Sequence, residues 1–280
     1  MKLMKRICQK SDWEYSCKLE YKKIMMFNTK AFSKLGIEIL AIIIGISASF
    51  WISEVQKDIE NQEKEKRLLK TIQINVQTID EYTNNRLNLL NEENHLMDYM
   101  SSNWNTLNID SLVNVLKDGT YIKSFHNIFL DYREFHPPTS ELKAIIDDGS
   151  LGLINNEKIR LALTALLDDR LDFLLQNVNS EIQLQQAFRE NLISEKNEKI
   201  VAVLKTTYSE MDNRINGKAG YINKNSQEIK AIAELKSAQN YLNLKIRQRY
   251  WVMFFMNYFK SALTEVNELV NAELNPEVMQ

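Results

Sequence analysis

Apolar and polar positions alternate in two different ways along this chain. From Leu35 to Ser53 the run LGIEILAIIIGISASFWIS holds nineteen residues with Glu38 as its one charge, and at about 1.5 Å per residue it spans about 28 Å of helix. This predicts one membrane crossing. Ile37, Ile39, Ile42, Ile43, Ile44 and Ile46 would face lipid, with Phe50 and Trp51 at an aromatic belt. A buried helix of a soluble core is the competing reading, because the strictly uncharged part, Ile39 to Ser53, is fifteen residues long. The other intensely apolar run, Tyr250 to Met256, lies between Arg249 and Lys260 and is too short to span.

Beyond the span the apolar positions recur at helical spacing. Leu69, Ile72, Val76 and Ile79 step by three and four, and Leu87, Leu90 and Met97 carry the stripe to about Asn103. Glu60/Lys64 and Glu63/Arg67 are i,i+4 pairs in the favourable order, so the chain just past the span reads as a solvated helical stalk. Gly and Pro are absent from Ile46 to Asp118, from Leu153 to Asn216 and from Tyr221 to Asn275, which leaves three long helical segments. The second runs from Asn156, capped by Asn155, to near Asn213, with Ile159, Leu163, Leu166, Leu167, Leu171, Leu174, Leu175, Val178, Ile182 and Phe188 inward. The third opens at Ser226, with a stripe of Ile232, Leu235, Leu242, Ile246, Met253, Leu263 and Val266.

Punctuation clusters between residues 103 and 155, at Gly119, Pro137–Pro138, Gly149 and Gly152, and predicts a cap of short helices. Asp110 would start a helix over Ser111 to Asp118, and Thr139 or Ser140 one over Glu141 to Asp148, closed by Gly149. The link Asn213 to Asn225, with Arg214, Lys218 and Lys224, reads as a solvated turn that would lie near the headgroups if the second helix returns toward the membrane. The expected fold is all-α: one N-terminal transmembrane helix, then an elongated antiparallel bundle with that cap. Its parts are a basic tail (1–34), the span (35–53) and a helical bundle (54–280, cap 103–155).

The twenty residues on either side of the span each carry five Lys/Arg, and two features break this tie in orientation. The first thirty-four residues carry nine Lys/Arg against three acids, and Lys30 and Lys34 abut the span, whereas its far side opens with Glu54. The N-terminus is therefore expected in the cytoplasm and the bulk of the chain in the periplasm, anchored in a bacterial inner membrane. The apolar run begins too far along the chain for a cleaved signal peptide. Cys8 and Cys17 then sit on the reducing side, and the remaining chain has no cysteine. Lys plus Arg number 35 and Asp plus Glu 37, so no overall basic field favours nucleic acid.

Within the span Glu38, Ala41, Gly45 and Ser49 share one helix face, a small-residue seam with an acid at one end, suited to close helix packing. The alternative is that Glu38 simply reaches water near the headgroups. Tyr250, Trp251, Phe254, Phe255, Tyr258 and Phe259 nearly encircle their helix, more than one buried face can cover, so part of the set is a candidate partner surface. Catalytic signals are thin. No phosphate-cradling Gly loop, nucleophile elbow, HExxH or paired Cys occurs, and two Cys with three His are too few for a Cys/His zinc site. The stretch His126 to His136, with Asp131 and Glu134, is the one candidate for gathering a divalent metal, at a spacing that fits no helix-face ligand pattern. Asp147–Asp148 and Asp168–Asp169 are neighbours about 100° apart on a helix and form no shared-proton dyad. No catalytic residue, metal or cofactor is expected.

Two stretches carry a resemblance. Gly36 to Glu54, with Glu38, Gly45 and the Phe50–Trp51 exit, resembles the anchor of an uncharacterised family of small single-pass membrane proteins common in Bacteroidota. Ser140 to Arg160, with Glu141, Leu142, Gly149 and Asn155, is similar to that family's second pattern, although Trp-Ile-Ser-Glu replaces the commoner N-W-N-E exit. The resemblance implies a helical, membrane-anchored protein and no catalytic activity. The expected function is a non-enzymatic interaction, scaffold or signalling subunit that associates with itself or with a membrane protein partner. The alternatives are a small-ligand sensor with a pocket near the cap or Trp251, and a metal-dependent enzyme using His126 and His136.

Overall fold

The computed structural model describes residues 14–106, 127–194, 200 and 231–276, with side chains from residue 36 onward. It divides into two units, residues 1–64 and 65–280. The described residues are helices, turns and loops without a strand, an all-α fold. The first helix, α1 (Glu14–Asn103), belongs to both units.

In the first unit every described side chain from Gly36 to Lys64 is exposed, including Ile37, Ile42, Phe50 and Trp51. Among the described residues this is the one helix long and apolar enough to cross a membrane, with a mean hydropathy of 1.9 over its best eighteen-residue window and none of that window buried. An apolar helix with no protein over it fits a lipid environment, and the buried-core reading loses its basis.

In the second unit α1 becomes amphipathic. Leu69, Ile72, Val76, Ile79, Leu87, Leu90 and Met97 are all buried, as their spacing predicts. The helix ends at Asn103, whose amide donates to the Tyr99 carbonyl, and passes into a 3₁₀ turn at Trp104–Thr106. Hydrogen bonds then trace how the chain returns. Asn127 meets Glu93, the Arg133 carbonyl meets Arg86, the His136 amide meets Tyr82, Glu141 meets Asn75, and Asn155 meets Glu65. Residues 127–155 therefore descend along the flank of α1, where the sequence led us to expect a cap at one end. The physical reason is an extended stretch before Pro137–Pro138, with Phe129, Phe135 and Ile154 buried as anchors.

On that strap sits α2 (Ser140–Asp147), with Thr139 at its N-cap and Gly149 at φ 80°, the left-handed residue that ends it. A 3₁₀ turn follows at Ser150–Leu153. The cap of the next helix is Asn156, whose side chain accepts the Lys158 N–H, and not Asn155 as expected. Asn155 instead donates from its backbone and its side-chain amide to the Glu65 carboxylate, both at 2.6 Å.

Helix α3 (Glu157–Thr164) continues through a π-helical turn (Ala165–Arg170) into α4 (Leu171–Ser194). The wide turn brings the consecutive Leu166 and Leu167 inward together. The rest of the expected second helix, the Asn213–Asn225 link and the Ser111–Asp118 helix lie outside the described residues. The third helix is broken. Leu235 is extended, with φ −73° and ψ 127°, and caps α5 (Lys236–Leu274), although neither Gly nor Pro marks the break.

Helix α5 runs antiparallel to α1, pairing Gln73 with Asn271, Asn94 with Met253 and Ser101 with Asn243. It is antiparallel to α4 as well, where Asn177 meets Gln248 and Gln185 meets Lys245. α1 and α3–α4 thus run parallel, so the second helix does not return toward the start of the first. Its buried line is Leu242, Lys245, Arg249, Val252, Met256, Phe259, Leu263 and Val266, which leaves the expected Ile246 and Met253 only partly buried.

Candidate functional site

The seam residues Glu38, Ala41, Gly45 and Ser49 are all exposed on α1. A Cβ built on Gly45 meets nothing within 4 Å, and the Ser49 hydroxyl donates to the Gly45 carbonyl at 2.9 Å within its own helix. That bond satisfies the hydroxyl locally and leaves the face smooth for a neighbouring helix.

The aromatic set divides. Phe259 points into the core and packs on Phe135, with centroids 6.3 Å apart. Tyr250, Trp251, Phe254 and Tyr258 are exposed, Tyr250 by 64% and Phe254 by 50%, and Phe255 is half-buried. All but Tyr258 join in ring-to-ring contacts. Trp251 meets Tyr250 and Phe254 edge-on at 5.4 and 6.0 Å, and Phe254 meets Phe255 at 5.3 Å. Helix α4 extends the face through Phe173, stacked on Phe255 at 6.0 Å, and the Arg170 guanidinium lies 3.8 Å over the Tyr258 ring. This is a contiguous, pre-ordered aromatic surface of the kind that marks interfaces.

A polar layer that sequence reasoning missed crosses the core. It separates two apolar clusters, one around Leu90, Val178 and Val252 and one around Met97, Phe188 and Tyr241. Arg249 is its centre. Its Nε donates to both Glu181 oxygens at 3.0 and 2.9 Å, and its Nη1 to Glu93 at 2.7 Å. Lys245 Nζ donates to Gln185 Oε1 at 2.6 Å and lies 3.2 Å from Glu181, and Asn127 donates to the other Glu93 oxygen at 2.9 Å. The Gln185 amide then reaches the Asn127 carbonyl, tying the strap to the helices.

Burial pushes the Glu181 carboxyl up, but the fields and hydrogen bonds of Arg249 and Lys245 outweigh it and hold the group at about 2. Burial wins at Lys245, whose ammonium falls to about 8 against the pull of Glu181. Burial also opposes the Arg249 charge, and the two carboxylates more than restore it. The signal was present in the sequence: Glu93, Glu181, Gln185, Lys245 and Arg249 all occupy inward positions of apolar stripes.

The remaining candidates are dispersed. His126 lies outside the described residues, and exposed His136 pairs with Glu134. No group of three or more metal-ligating side chains converges among the described residues. Asp148 accepts the Ser150 N–H, and the Ser150 bonds draw its carboxyl below the usual range. Asp168, Asp169 and His95 are exposed.

Comparison with known protein families, curated proteins and solved structures returns no match to this chain.

Proposed function

We propose that this chain is a non-enzymatic, single-pass membrane-anchored interaction subunit whose second unit meets another copy of itself through the aromatic face of α5. The observation that carries this reading is the ring-to-ring run of Tyr250, Trp251, Phe254 and half-buried Phe255, continued by exposed Tyr258, where isolated surface aromatics would be scattered. A second copy suits the face because its rim is of mixed sign. Arg247 lies one turn before Trp251, and Asp169 and Asp172 lie beside Phe173, so a two-fold pairing would set unlike charges across from one another. The exposed seam of Ala41, Gly45 and Ser49 supports the same association within the bilayer.

In this reading the N-terminus is cytoplasmic and the bulk of the chain lies in the periplasm of a bacterial inner membrane, a topology supported by Lys30, Lys34 and the basic tail. Scaffold and signalling roles both follow from such a subunit. The family of Bacteroidota anchors resembled by Gly36–Glu54 is the proposed relative.

The test is a photo-crosslinking residue introduced at position 254 of the full-length protein in cells. A crosslink to a second copy, lost in Trp251→Glu, supports the reading. A crosslink exclusively to a different membrane protein replaces the second copy as occupant, and no crosslink at all removes the surface as an interface. Reagent access to Gly119→Cys from the periplasm checks the orientation, and labelling only after the inner membrane is opened reverses it.

A further inference from the structure

One half-buried cation in the second unit, Arg86, has no carboxylate bonded to it. Among the described residues the polar layer and the strap over it bring together four cations, Arg86, Arg133, Lys245 and Arg249, and three carboxylates, Glu93, Asp131 and Glu181. The two carboxylates within the layer are occupied. Glu93 is taken by Asn127 and Arg249, and Glu181 by Arg249 and Lys245. Arg86 donates from Nη2 to the Arg133 carbonyl at 2.6 Å, while its Nε is buried and has no acceptor. Of the charges that act on Arg86, Glu93 and Glu181 attract it, and Arg249 and Arg133 repel it. Asp131 is no substitute, because its field couples to Arg189 and Arg133. Buried guanidinium groups ordinarily have an anionic or hydrogen-bonded partner at each donor.

Beside Arg86 opens a groove of about 560 Å³ between α1 and the descending strap. That volume is within the range of small-molecule sites. Tyr82, Leu89 and Tyr132 give it flat apolar walls, with Leu89 and Tyr132 exposed at 37% and 36%, and Asn85, Arg133 and His136 line the rest. Tyr82 is fixed in place, since its oxygen accepts the His136 N–H at 3.1 Å and its ring packs on Phe135 with centroids 5.3 Å apart. The acid on the rim, Glu134, is engaged by the His136 imidazole.

We propose that this groove binds a small organic carboxylate with a flat apolar body. The carboxylate pairs with the guanidinium of Arg86, which lines the groove, and the body lies against Tyr82, Tyr132 and Leu89. A strong anion without an apolar body would satisfy the charge and leave the walls wet; a neutral aromatic would do the reverse. The aromatic face of α5 plays no part here, so either proposal stands if the other fails.

The experiment is a calorimetric titration of full-length protein in lipid nanodiscs with benzoate, and separately with inorganic phosphate. Saturable benzoate binding is expected, weakened ~10-fold or more in Arg86→Met, as expected for loss of a charged hydrogen bond. Tyr132→Ala, at a partly exposed position that leaves folding intact, is expected to weaken benzoate ~5-fold by removing one wall. Absence of saturable benzoate binding overturns the proposal. So does benzoate affinity unchanged in either variant, or phosphate binding as tightly as benzoate.

Discussion

The anchor segment and the polar layer invert the usual placement of side chains in opposite senses. From Gly36 to Val55 apolar side chains stand exposed with no protein over them, whereas at Glu93, Glu181, Lys245 and Arg249 charged groups lie almost wholly within the core. The first arrangement suits apolar surroundings: in a bilayer Ile42 or Phe50 would be at no disadvantage. The second is stable because each charge is matched in direction as well as sign, by a guanidinium that reaches carboxylates on two different helices. Composition alone reads the anchor, but the polar layer is legible only from position within a stripe.

The largest expected effect breaks the layer on one side. Arg249→Met leaves Glu93 and Glu181 buried without their main partner, and denaturant unfolding of the full-length protein should show a loss of about 3–5 kcal/mol. Replacing Glu93, Glu181, Lys245 and Arg249 together by Leu or Met should recover most of that loss, because the one charge left in the layer is then the half-buried Arg86. If the fourfold variant is as unstable as the single one, the layer contributes more than pairing.

Acid attacks the same residues without mutation. The Glu181 carboxyl titrates at about 2 in the folded state against an ordinary 4.5, so its contribution is fully present above about pH 4.5 and lost as pH falls through 2. That amounts to a loss on the order of 3 kcal/mol, absent in Glu181→Gln. Lys245 acts in the opposite sense. With its folded value lowered to about 8 from 10.5, its burial cost is fully present below pH 8 and is relieved as pH rises toward 10.5. Unfolding midpoints measured across both windows would separate the two residues. A smaller effect is expected at Asn156→Ala, where loss of the cap on α3 should cost about 1 kcal/mol in thermal unfolding, with the anchor unaffected.

The helices were legible in the sequence because their apolar stripes keep strict three- and four-residue steps, and Gly149 marked its helix end because only a left-handed residue fits there. The course of the strap was not legible. Whether residues 127–155 cap the end of α1 or descend along it depends on long-range bonds such as Arg86 to the Arg133 carbonyl, which leave no local pattern. The break at Leu235 was hidden for a related reason, since packing of that leucine beside Ile232 and Leu242 overrides a helix-forming sequence. On α5 the inward line runs through Lys245 and Arg249, so a stripe read from apolar residues alone falls on Ile246 and Met253. The exposed part of the aromatic cluster was anticipated from crowding alone, and the inward turn of Phe259 follows from the same register.

Self-association through the aromatic face is the central claim, and counting subunits tests it most directly. Full-length protein in nanodiscs, counted by single-molecule photobleaching, should show two copies per particle, and Trp251→Glu with Phe254→Glu should show one at unchanged folding stability. A wild-type protein that is monomeric at the same density, or a double variant that remains dimeric, would contradict it.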